Sequence, residues 1–385
     1  MALTAAEAAT TLPGGLMPAV LPGGITAQQA AAMGLDSSKQ IYTTRQAAAR
    51  RKKSQVYTVP FAAGLPFNVP LRHVGYLSQL TLKFTLAITV TGNGGTVADV
   101  QDAENYIKGM QLVSPSSNAP HIIDLENLIA QNYRNRAGVN PRSAPGYAFW
   151  TPGTAGTYNV LVRVRWPIAL RGRNFATGMI PRNSQQEWSL TGTFCQASDL
   201  VGTGNAVVTF GAGTLEIAEE WYDAMTGLNA IPPDFLVGTR LRQFTPKQSL
   251  GIGDNQYSYP TPGPTLLDAL HHVYINGVSD HVDVAKFKLE ADGEYPFYDD
   301  TGSDLRDDNA QELQQQLPTG WFLHNLFDDT QVVGESLGRD QIDATLYSQL
   351  LFILNIAQGA TLGTAQKCVD VYRELVDLEL PPATR

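Results

Sequence analysis

The feature that most constrains this chain is a two-residue period that takes hold after Val56. In "LTLKFTLAITV" Leu80, Leu82, Phe84, Leu86, Ile88 and Val90 fall on one side of an extended backbone, and threonines, Lys83 and Ala87 on the other. In "NVLVRVRW" Val160, Val162, Val164 and Trp166 oppose Leu161, Arg163 and Arg165. "QVYTVPF", "EWSLTGTFCQA" and "AVVTFGAGTLEIAEEWYDAM" carry the same β-branched and aromatic bias. An Asn-Gly pair in "TGNGGT" (91–96) supplies the positive φ of a hairpin turn. "DAENYIKGM" and "DLENLIAQNYRNRAG" read as short helices between strands. Many strands and few helices over residues 57–225 predict a β-sandwich or jelly roll.

The pattern stops at "TGLNAIPPDF" (226–235), where two adjacent prolines suit neither a central strand nor a helix interior. It restarts with "GTRLRQFTP", "HHVYINGVS" and "VAKFKLEAD". A polar helix, "SDLRDDNAQELQQQL", is expected with Ser303 as its cap. "GWFLHNLF" follows. "TLYSQLLFILNIAQG" reads as a buried strand, with helix left open by periodicity, and "TAQKCVDVYRELV" as strand or helix. Residues 1–56 differ: Ala-rich, with two Pro-Gly-Gly breaks, a capping box at Thr4 and Glu7, and a short helix between Thr26 and Gly34. The fold class expected is all-β, two consecutive jelly-roll β-sandwiches with an N-terminal, partly helical arm. The arm is placed at 1–56, the first roll at 57–230 and the second at 231–385.

Chemistry is sparse. GxSxG, HExxH and Walker signatures are absent, and "LGIGDN" lacks the strand–helix context of a phosphate cradle. His271 and His272 are neighbours on a strand and point to opposite faces, which spoils a chelate; half-exposed structural roles are expected. Asp299, Asp300, Asp304, Asp307 and Asp308 raise a calcium reading, but their spacing misses the EF-hand pattern, and a solvated loop running into a helix N-terminus explains them. The five tryptophans sit mostly in alternating text and read as core. Two cysteines, Cys195 and Cys368, make no disulfide framework and read as buried thiols of a reducing compartment. No catalytic residue, metal or cofactor is expected. No 18-residue apolar run or signal-peptide pattern is found, so a protein made in the cytosol and soluble until assembly is expected. Only 16% of residues are charged, against a usual ~25%, which suits a surface covered by other chains.

On these residues the chain resembles the double jelly-roll major capsid proteins of the tectivirus and adenovirus-hexon lineage, icosahedral viruses with an internal membrane. "YTVPFAAGLPFNVPLRHVGYLSQLTLKFTLAITVT" (57–91) looks like the family's opening strand pair, and "EIAEEWYDAM" like the last strand of the first roll. "HHVYINGVSD", "LPTGWFLHNLF" and "TLYSQLLFILNIAQG" are similar to strands of the second. The resemblance implies a non-enzymatic structural protein of the virion, bacteriophage capsids included. It implies a homotrimer whose six rolls make a pseudo-hexagonal tile, assembly in the host cytoplasm, and minor capsid and vertex proteins as partners.

One feature of the arm then acquires a role. The chain carries −9 overall, yet residues 1–56 hold six cations against two acids, five of them in "RQAAARRKK": Arg45, Arg50, Arg51, Lys52 and Lys53. If the arm lies under the shell, as the resemblance implies, this cluster faces anionic lipid of the internal membrane, at about 1 kcal/mol per cation. Packaged nucleic acid offers phosphates to the same cluster, without sequence-specific contact. A non-enzymatic glycan-binding β-sandwich, spike or lectin-like, and a carbohydrate-active enzyme built on two β domains are the alternatives; neither needs a cationic Ala-rich arm.

Overall fold

The computed structural model describes residues 51–71, 76–91, 106–114, 121–134, 155–169, 180–181, 188–200, 207–222, 237–247, 249–258, 265–274, 283–293, 295–313, 316–317, 320–325, 342–362 and 367–377. The first half forms β1 (Arg51–Pro60), β2 (Pro66–Pro70), β3 (Tyr76–Thr91), β4 (Ile107–Val113), β5 (His121–Ile123), helix α1 (Leu125–Arg134), β6 (Gly156–Pro167), β7 (Ile180–Pro181), β8 (Ser189–Phe194), the short helix α2 (Ala197–Leu200) and β9 (Val207–Tyr222). The second half forms β10 (Val237–Lys247), β11 (Gly253–Ser258), β12 (Thr265–Tyr274), β13 (Val284–Ala291), β14 (Tyr295–Asp300), helix α3 (Gly302–Leu313), β15 (Trp321–Asn325), β16 (Ile342–Asp343), β17 (Leu350–Ile356) and β18 (Lys367–Asp377).

Each half is a jelly roll. In the first, β1-β9-β3-β6 faces β2-β8-β4-β5; in the second, β10-β18-β12-β15 faces β11-β17-β13-β14. With the two-residue strands set aside, both halves share one order: first, last, third, sixth, opposite second, seventh, fourth, fifth. The small additions repeat too. A two-residue strand pairs with the third strand of each roll, β7 on β3 and β16 on β12, and a helix follows the fifth strand of each. The two halves share this plan although the sequence shows no internal repeat.

The predicted alternation holds where it is longest. Leu80, Leu82, Phe84, Leu86, Ile88 and Val90 of β3 are buried, and so are Val160, Val162, Val164 and Trp166 of the neighbouring β6. Their burial removes apolar surface from water, the main stabilising term of such a sandwich. The rolls are joined through a parallel pairing of β5 with β10 at His121 and Leu241. That contact makes β2-β8-β4-β5 and β10-β18-β12-β15 one continuous sheet. The second roll's part of it is buried on both faces. Phe322, Cys368 and Tyr372 point into the second roll's core, while Leu270, Trp321, Leu323 and Val371 join the first roll's core. Helix α1 lies at this seam. Its N-terminus is held by Gln243 of β10, which accepts from Asp124 N (2.8 Å) and Asn127 Nδ2 (2.6 Å) and donates to Asp124 Oδ2 (2.7 Å).

Three expectations change, and one that was left open is settled as strand. Residues 107–110, read as helix, are the start of β4. Gly109 is left-handed (φ 57°) and shifts the register between Lys108 and Gln111. That bulge puts Ile107 and Met110 on one face three residues apart, a helical spacing produced by a strand. Helix α3 is capped two residues earlier than Ser303. Thr301 Oγ1 accepts from Asp304 N (3.1 Å) and its hydroxyl donates to Asp304 Oδ2 (2.7 Å). The 364–376 run is strand throughout its described part. The first roll's backbone begins at Arg51 rather than Tyr57, because β1 pairs with β9 from Arg51 opposite Tyr222 onward. The arm's predicted helices, the hairpin turn after Thr91 and the Pro-Pro break lie outside the described residues.

Gly213 shows how closely β9 approaches its neighbours. A Cβ there would sit 2.8 Å from Thr85 O, 2.7 Å from Leu86 Cδ1 and 2.9 Å from Phe61 Cβ. A backbone oxygen paired in the sheet has no room to yield. Gly213→Val is expected to destabilise the protein by about 1–3 kcal/mol, read as a lower denaturant midpoint. Gly359→Ala, with nothing within 4 Å of its new carbon, serves as the control and leaves the midpoint within about 0.5 kcal/mol.

Candidate assembly surfaces

Each roll starts and finishes at one pole. Arg51, the first residue of β1, lies opposite Tyr222, the last of β9; Val237, the first of β10, lies opposite Asp377, the last of β18. Because β5 and β10 run parallel, both rolls stand the same way up, and these four strand ends share one end of the molecule. Of the predicted basic cluster, Arg51, Lys52 and Lys53 belong to this pole. Their backbone is strand, in register with Tyr222, Trp221 and Glu220. Arg45 and Arg50 lie outside the described residues. The structure thus brings three of the five together and roots them in the first sheet.

The opposite pole repeats a different feature. Leu65, just before β2, and Ile252, just before β11, are exposed by 57% and 47%. Both follow a glycine in the turn from first to second strand, so the two rolls present an aliphatic side chain at the same corner.

Of the remaining candidates, His271, His324, Asp300 and Cys368 meet in one interior array that sequence reasoning missed. Asp300 Oδ2 (β14) lies 3.4 Å from His324 Nε2 (β15). His324 Nδ1 lies 3.0 Å from His271 Nε2 (β12), and His271 Nδ1 lies 2.8 Å from Asp370 Oδ1 (β18). Tyr257 OH of β11 donates to Asp370 Oδ2 (2.7 Å), and Cys368 Sγ lies 3.3 Å from Asp370 Oδ1. His271 stacks on Phe352 (4.5 Å), and His324 on Tyr298 (3.6 Å). This chain of polar groups crosses the second roll from sheet to sheet. His271 and His272 were expected to be half-exposed; both are buried, because β12 has no solvent face. His272 points the other way, stacked on Trp321 (3.7 Å) with Nδ1 3.8 Å from Glu126 Oε1 of α1. Ionisable residues at inward positions of otherwise apolar strands were the available signal.

The array is poor catalytic material. Burial, and then the Asp370 carboxylate, push the Cys368 thiol well above its ordinary range, and burial pushes Cys195 up to about 12. Among the described residues no group of three His, Cys, Asp or Glu is placed to hold a metal ion. The acidic run disperses: Asp299 pairs with Lys286 (2.8 Å), Asp300 lies against His324, Asp304 partners the Thr301 cap of α3, and Asp307 and Asp308 are exposed on it. Trp166, Trp221 and Trp321 are core, Trp188 packs against it, and Trp150 lies outside the described residues.

His324 gives the second roll an acid sensitivity. Burial lowers it from 6.5 to about 4, with His271 adding to the effect and the Asp300 contact opposing it. The unfolded imidazole therefore takes up a proton first as pH falls, and folded-state stability declines between about 6.5 and about 4. The loss approaches ~3 kcal/mol at the lower end. The unfolding midpoint measured across this window is expected to fall with pH, and His324→Phe is expected to flatten the slope.

Neither a protein-family model nor a curated protein matches the sequence. Solved structures do match in fold. The major capsid protein of Sulfolobus turreted icosahedral virus superimposes with a TM-score of 0.63 at 16% identity, over 85% of this chain and 97% of that one. The Faustovirus major capsid protein matches with 0.53 at 8% identity, over 85% and 90%. The major capsid protein of bacteriophage PM2 matches with 0.50 at 14%, over 86% and 99%. At such identities the likeness is one of architecture, and it spans nearly the whole of each relative. The chain carries the double jelly-roll fold of these viral major capsid proteins.

Proposed function

We propose that this protein is the major capsid protein of an icosahedral virus, and that three copies form a pseudo-hexagonal tile. The observation that carries this reading is the pair of rolls with one strand order and one polarity, fused through a shared sheet. A three-fold assembly of such chains presents six nearly equivalent rolls, all upright in the same sense, which is the geometry a hexagonal lattice needs. Closed three-fold contacts limit growth within the tile. The low share of charged residues suits surfaces covered by neighbouring copies. The function is structural and non-enzymatic; the His–Asp array, enclosed in the second roll, serves its packing.

The pole where β1 begins faces inwards, and the run Arg45, Arg50, Arg51, Lys52 and Lys53 meets anionic lipid of an internal membrane. This is a surface contact, sensitive to salt, with no apolar anchor to deepen it. The protein then resides in the virion after assembly in the host cytoplasm, with itself, that lipid, and minor capsid and vertex proteins as partners.

Light scattering over a dilution series tests the tile: a native mass of three chains that persists on dilution is expected, and a stable monomer would overturn the reading. The lipid contact is tested separately. Changing Arg50, Arg51, Lys52 and Lys53 together to Ala is expected to weaken binding to anionic vesicles by up to about a thousandfold at low salt and to leave the trimer intact. Equal binding by both forms removes the membrane role of the run without touching the capsid reading.

A further inference from the structure

The two rolls share one further device. Among the described residues β6 ends the first roll's sheet and β15 ends the sheet that runs through the second roll. Such a strand normally presents unpaired N–H and C=O groups, a template on which another chain adds. In both rolls the helix after the fifth strand sets an asparagine against that edge. Asn132 of α1 accepts from Arg165 N with Oδ1 (3.0 Å) and donates to Arg165 O with Nδ2 (2.8 Å). Asn309 of α3 accepts from Leu323 N (2.8 Å) and donates to Leu323 O (2.7 Å).

The parallel is close. Each asparagine is the eighth residue of its helix. Each takes both backbone groups of a single residue on the sixth strand, as a residue of an added antiparallel strand would. Each is buried, at 1% and 3% exposure, which a primary amide tolerates only with its hydrogen bonds made. Asn132 is further tied to its own helix by donating to Leu128 O (2.7 Å). Neither residue is demanded by helix formation, since asparagine is a weak helix former.

We propose that Asn132 and Asn309 are edge plugs. Each fills the strand-pairing site of an open sheet edge with a side-chain amide and so prevents a second copy of this chain from adding a strand there. Contacts between copies are thereby confined to side-chain surfaces, and sheet-to-sheet polymerisation is blocked. The proposal concerns the edges alone and stands whether or not the capsid reading does.

The test replaces each asparagine by leucine, which keeps the branching at Cγ and the number of heavy atoms and removes the amide. In the full-length N132L, N309L and double variants, hydrogen exchange read by mass spectrometry is expected to rise at least tenfold in the peptides containing Arg165 and Leu323. Concentration-dependent, thioflavin-positive association is expected to follow, strongest in the double variant. Ile217→Ala, a core substitution on the central strand β9 and away from both edges, is compared at a denaturant concentration giving equal stability, where it is expected to stay dispersed. If it associates as readily, or if the leucine variants exchange faster yet stay dispersed, the plug is overturned. Should a leucine variant fail to fold, the Asn→Asp pair keeps the acceptor and loses the donor. Association above the Ile217→Ala level then supports the plug, and its absence overturns it.

Discussion

A sheet buried on both faces governs the rest of this structure. In an ordinary sandwich each strand hides one face and wets the other, so alternate positions are free to be polar. The β10-β18-β12-β15 sheet has no wet face where it passes between the rolls. Its strands must be apolar on both sides or must satisfy every polar group they carry. That requirement accounts for His271 and Asp370 on one face, held by Tyr257 and His324; on the other face His272 stacks on Trp321 near Glu126. It also makes the rolls one body, since Leu270, Trp321, Leu323 and Val371 belong to the first roll's core. The halves are consecutive in sequence and have two hydrophobic clusters, yet the second contributes strands to a shared sheet and side chains to the first one's core.

The same condition explains what was legible in the sequence. Strands β3 and β6 belong to a sheet with a half-exposed outer face, so Leu80 to Val90 and Val160 to Trp166 alternate visibly with Lys83, the threonines and Arg163. The signal fails where a face rule fails. Gly109 inserts a residue into β4 and turns a two-residue period into a three-residue one. In β12 the adjacent pair His271–His272 suggests solvent because histidine is usually half-exposed, and nothing local reveals that a second roll covers the far side. The seam contact from Gln243 to Asp124 and Asn127 joins residues more than a hundred positions apart. No period or motif announces such a bond.

The basic run was legible as composition but not as structure. Charge alone separates residues 45–53 from an acidic chain. Strand pairing, which places Arg51, Lys52 and Lys53 opposite Tyr222, Trp221 and Glu220, depends on the register of a strand far away in sequence. The pairing fixes the backbone of these three residues relative to the first sheet.

The repeat between halves is written in geometry rather than in residues. Strand order, the short added strand on the third, the helix after the fifth and an amide closing the sixth recur, while the side chains that fill the two cores differ. Packing tolerates such drift because many residue sets fill a given volume. An edge hydrogen bond does not, because an exposed pairing site acts on other molecules as well as its own. Asn132 and Asn309 sit in helices that otherwise share little, Leu125–Arg134 being apolar on its buried side and Gly302–Leu313 largely polar. Recurrence of the amide at the same helical position, amid that divergence, is what a constraint from association rather than from folding would leave behind.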